Sequence, residues 1–69
     1  MTTHAISRED MMQSIEHRAS QLLRGDSDFN DKISKFAVSL RRASEPQLRA
    51  AHGLVASGTF DEISSALVK

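Results

Sequence analysis

Cysteine, tryptophan and tyrosine are absent from the chain, and proline occurs once. Without cysteine there is no disulfide framework and no thiolate zinc site to staple a small fold. Three glycines are too few and too scattered for a phosphate-cradling loop. No apolar run approaches the length of a membrane span, and the start, MTTHAISRED, has no apolar core of a secretory signal. These absences lead us to expect a cytoplasmic chain that makes no membrane contact. The 69 residues make one domain at most. A core of that size is marginal alone, so docking on a partner or on a second copy is expected to help.

Catalysis is equally short of material. The histidines, His4, His17 and His52, lie far apart, with no His-x-x-x-His or Glu-x-x-His spacing to hold a metal. Serines are numerous, but none stands in a recognisable nucleophile motif. The expectation is a protein that is not an enzyme and needs no cofactor or metal.

Charge is present and unevenly placed. The net charge is zero, yet residues 1–31 carry three cations and six anions, residues 32–49 five cations and one anion, and residues 50–69 one cation and two anions. A basic middle segment therefore sits between two acidic ones. It pairs internally or offers a basic patch to a partner.

Four hydroxyl-headed tetrads precede apolar-periodic runs: Ser7 to Asp10, Ser27 to Asn30, Ser44 to Gln47 and Thr59 to Glu62. In such a box the hydroxyl accepts from the amide three residues on, and the side chain there reaches back. Pro46 falls within the first turn of its helix, where a missing N–H costs nothing. Gly25 and Gly58 stand where helices are expected to end in a left-handed residue. Helices are thus expected at about 7–24, 28–43, 45–57 and 60–68, with residues 1–6 as a flexible lead. Met11, Ile15, Ala19 and Leu22, then Phe29, Ile33, Phe36 and Leu40, then Leu48, Ala51 and Val55, then Phe60, Ile63 and Leu67 form the apolar stripes. The fold class is all-α. A long N-terminal hairpin of two helices is crossed by two shorter C-terminal ones. Met11 and Met12 together widen the apolar band of helix one, which suits adaptable packing on a partner or in a homodimer.

Three local resemblances follow from short motifs. Gly25 to Ser34, GDSDFNDKIS, is similar to an EF-hand calcium loop: Asp26, Asp28 and Asn30 match its first three ligand positions. Asp31 replaces the turn glycine, however, and Ala37 replaces the bidentate glutamate. An acidic helix start that complements the helix dipole is the expected reading. Ser20 to Gly25 resembles the inhibitory helix of Fic-type antitoxins, but Arg24 stands where that family has its glutamate and cannot pair with an active-site arginine. Ser39 to Gly53 resembles the junction into a helix-turn-helix reading helix. Arg41 and Arg42 would hold phosphates there, Ser44 would cap the helix, and Gln47, Arg49 and His52 would reach base edges. Arg42 replaces the turn glycine of that motif, and overall neutrality weakens the nonspecific electrostatic term.

The expected function is a small non-catalytic regulator or inhibitor that binds an acidic surface of another protein. Its contact would be a basic helical face of Lys35, Val38, Arg41, Arg42 and Arg49, with Val38 as an apolar centre inside a cationic rim. Inhibitors, antitoxin-like factors and adaptors of mobile genetic elements have this build, by analogy of class alone. The alternative is a transcription regulator that reads DNA through helix three.

Overall fold

The computed structural model describes residues 7–68; the expected flexible lead 1–6, with His4, and Lys69 lie outside the described residues. Four helices follow in order: α1 Arg8–Leu22, α2 Phe29–Arg42, α3 Glu45–Gly53 and α4 Phe60–Val68. There is no strand among the described residues. The all-α array expected from the sequence is the architecture found.

Three of the four hydroxyl-headed tetrads act as caps. Ser7 Oγ accepts from the Asp10 amide at 3.1 Å. Ser44 and Gln47 form a reciprocal box, with Gln47 Oε1 accepting from the Ser44 amide at 2.7 Å. Thr59 and Glu62 do the same at α4: Glu62 Oε1 accepts from the Thr59 amide at 2.8 Å, and Thr59 Oγ1 from the Glu62 amide at 3.2 Å. Each cap satisfies amides that the first helical turn leaves without partners. The exception is Ser27. The N-cap of α2 is Asp28, whose side chain makes no cap bond, and the neighbouring Asp26 organises the turn instead.

The helix ends differ from expectation in two places. α1 stops at Leu22, and Leu23 to Gly25 form a turn closed by the left-handed Gly25 at φ +84°. α3 stops at Gly53, four residues early. Beyond it the amides of Leu54 and Val55 bond to carbonyls only three residues back, so the coil tightens into turns. Gly58 is not left-handed. A Cβ there would sit 2.8 Å from both the Cβ and the carbonyl oxygen of Leu54. Close approach, rather than backbone freedom, is what requires that glycine.

The centre of the core is formed by Ile15, Leu48 and Ile63, one each from α1, α3 and α4 and all fully buried. α3 packs chiefly on α4 and α1, while α2 lies against α1 and α4 and scarcely touches α3. From α2 only Phe36 and Leu40 are buried; Phe29 and Ile33 are partly covered. Phe36 meets Phe60 of α4 at a ring-centroid distance of 5.3 Å, tilted by 39°. That is an ordinary favourable aromatic pair. Met11 is buried, and Met12 is partly covered and packs against the core.

Arg8 fastens the hairpin. Its Nη2 donates to the carbonyls of Arg41 at 3.2 Å and Ala43 at 2.9 Å. The first residue of α1 thus sits at the last turn of α2, which makes the pair antiparallel. No helix among the described residues is long and apolar enough to cross a membrane.

Candidate functional site

The core side of α2, with Phe36 and Leu40, fixes what its other side presents. At 100° per residue, Asp31, Ser34, Lys35, Val38, Arg41 and Arg42 fall together on the outer side. All six are exposed. Val38 is 47% exposed, one of two large apolar residues so placed among the described ones. Arg41 and Arg42 occupy the last turn, where cations complement the helix dipole.

The expected basic band divides into matched and unmatched cations. Lys35 Nζ lies 3.3 Å from Asp31 Oδ2, and Arg49 Nη2 lies 2.7 Å from Glu45 Oε2. Both pairs are exposed and four residues apart on one helix, so they add little stability, yet they cancel charge locally. Arg41 and Arg42 have no ion pair among the described residues. Arg49 belongs to α3, a separate element that barely touches α2. The structure therefore brings Lys35, Val38, Arg41 and Arg42 onto one face of one helix and leaves Arg49 on another helix.

Sequence reasoning missed Arg8, whose guanidinium lies at the end of α2 beside Arg41. A signal for it exists. The first turn of α1 favours anions and holds Glu9 and Asp10. A cation placed there has its reason elsewhere in the fold. Glu9, Glu16 and Arg41 also border a shallow groove between α1 and α2, floored by Met12, Ala37 and Leu40. Acidic side chains thus bound one edge of the face.

The residues expected to read DNA are placed less favourably. Ser44 and Gln47 are engaged with each other in the cap of α3, Arg49 is held by Glu45, and His52 is half-buried. A helix-turn-helix unit packs its two helices on each other, whereas α2 and α3 hardly meet. Of that set, Arg41 and Arg42 remain outward and unmatched.

The calcium-like loop has a different occupation. Asp26 Oδ1 accepts from the Asp28 amide at 2.8 Å, and Oδ2 accepts from Lys32 Nζ at 2.8 Å. The hydrogen bond from Lys32, then that from the Asp28 amide, hold the Asp26 carboxyl below its ordinary range. Asp26 in turn raises the Lys32 ammonium. Among the described residues no three His, Cys, Asp or Glu side chains are grouped to hold a metal ion. His17 lies on the polar side of α1, its Nε2 3.2 Å from Gln21 Nε2.

No family model matches this chain, and no match was found to a curated protein or a solved structure.

Proposed function

We propose that the protein is a small non-catalytic regulator, working in the cytoplasm, that binds another protein through the outer face of α2 and occludes an acidic surface there. The observation that carries this reading is Val38, exposed at the middle of the helix with the unmatched Arg41 and Arg42 one turn on. Arginine is enriched and lysine depleted in protein interfaces, whose cores are apolar and whose rims are polar. Arg41 and Arg42 are exposed and offer planar forks suited to carboxylates. Opposite charge on the target steers the encounter, and Val38 supplies contact that excludes water.

Duplex DNA is the alternative occupant of the same two arginines. The engagement of Ser44, Gln47 and Arg49 within α3 favours the protein reading. A pull-down from host lysate with the wild-type chain and with Arg41→Glu/Arg42→Glu tests it. The wild type retains one or more proteins that the double variant loses, in the presence of nuclease. Identical retained sets remove the α2 face from the account, and loss of all retention on nuclease treatment favours nucleic acid.

A further inference from the structure

A groove between α3 and α4 has the charge and the helical register to receive the outer face of α2, and we propose that one copy of the chain docks on the next through these two surfaces. The inference rests on reading that face as an interaction surface, and it adds a partner and a means of regulation.

The groove measures about 610 Å³ and shares no residue with the outer face of α2. Pro46, Ala50 and Leu54 form one wall, at successive turns of α3 and its cap. Asp61, Glu62 and Ala66 form the other, from α4. Small side chains at Ala50 and Ala66 let another helix approach closely. Glu62 uses Oε1 in the cap of its own helix. Neither Asp61 nor Glu62 has an ion-pair partner among the described residues. The groove is thus an apolar floor edged by two carboxylates without an ion pair among the described residues, Asp61 lying near enough to Lys32 of its own chain to raise that ammonium slightly. The face of α2 is an apolar knob with two guanidiniums, likewise without an ion pair among the described residues.

The registers agree as well. On α2 the charge follows the apolar residue by one turn, from Val38 to Arg42. On α4 the apolar residue follows the charge by one turn, from Glu62 to Ala66. One helical turn of four residues is about 6 Å in both cases. With α2 of one copy antiparallel to α4 of the next, Val38 rests on Ala66 and Leu54 while Arg42 stands over Glu62. Arg41 is then within side-chain reach of Asp61. The neutral net charge, divided into a basic middle and acidic flanks, is what such self-complementarity requires. Because the two surfaces differ, the contact is heterologous: it closes into a ring or continues head to tail.

The consequence is regulatory. A docked copy covers Arg41 and Arg42, so an acidic target competes with self-association for the same face. The chain is held in reserve at high concentration and released by dilution or by a target that binds more tightly.

Sedimentation equilibrium on the full chain tests the proposal. The wild type associates with a dissociation constant of about 10–100 µM at low salt, and more weakly at high salt. Arg41→Glu/Arg42→Glu and Asp61→Lys/Ser65→Lys are each monomeric, because each pairs like with like. An equimolar mixture of the two associates again, since the intact groove of one meets the intact face of the other. Ala50→Lys, an exposed substitution on the opposite wall, also weakens association; circular dichroism verifies the fold of every variant. A wild type that stays monomeric at about 1 mM overturns the proposal. So does a mixture that fails to associate, or variants that associate like the wild type. Target capture separates this inference from the proposed function: Asp61→Lys/Ser65→Lys keeps the target, whereas Arg41→Glu/Arg42→Glu loses it. A wild type that captures its target yet stays monomeric at about 1 mM removes the self-contact alone and leaves the proposed function standing.

Discussion

Arg8 Nη2 lies 2.9 Å from the carbonyl oxygen of Ala43, joining the first residue of α1 to the residue that caps α2. This contact spans 35 positions and holds the turn that bears Arg41 and Arg42. A charged donor shared by two carbonyls contributes more than a neutral one. Arg8→Ala is expected to lower stability by about 1–2 kcal/mol, read from a urea transition. It also speeds amide exchange at residues 40–43 ahead of the rest of the helix.

Leu48 is fully buried between α1 and α4. Leu48→Ala removes several methylenes and leaves a cavity, at a cost of about 3 kcal/mol. For so small a domain, with about 5 kcal/mol in total, that is most of the margin. The expected result is a broad, low-temperature thermal transition by circular dichroism.

The three glycines separate three causes. Gly25→Ala meets no atom within 4 Å but must hold φ +84°, so it costs about 1 kcal/mol through the backbone alone. Gly58→Ala runs into Leu54 at 2.8 Å and is expected to cost more, about 2 kcal/mol. Gly53→Ala has open space, a helical setting and no positive φ, so it is expected to stabilise by about 0.5–1 kcal/mol. The order Gly58, Gly25, Gly53 in falling midpoint loss is the check.

The pair of Asp26 and Lys32 sets a pH signature. Lys32 first, and the Asp28 amide second, lower the folded-state pKa of Asp26. A lowered carboxyl contributes stability above its unfolded value and loses it as pH falls through the folded one. The wild type therefore loses stability below about pH 4, and Asp26→Asn flattens that part of the profile. Added salt reduces the effect, because both side chains are partly exposed. Thermal midpoints measured across the acid range, with and without the substitution, test this.

The helices were legible because local chemistry announces them. Ser7, Ser44 and Thr59 act as the caps their sequence positions imply, and the stripes through Ile15, Leu48 and Ile63 converge as the core. The exposure of Val38 follows from helical phase alone. The end of α3 was not legible, since tightening after Gly53 depends on how Gly58 packs against Leu54. The basic band was read from a sum of charges, which overlooks pairing. Yet Asp31 before Lys35 and Glu45 before Arg49 carry the i, i+4 spacing that matches them. Arg8 and the α3–α4 groove are tertiary, and no local pattern places them.

The central claim is that Val38, Arg41 and Arg42 form the contact and that the matched cations do not. Calorimetric titration of the captured target against single alanine variants tests this most directly. The account predicts losses of about tenfold or more at Val38→Ala, Arg41→Ala and Arg42→Ala, and less than about threefold at Lys35→Ala and Arg49→Ala. Equal losses at all five positions, or unchanged affinity at the first three, would contradict it.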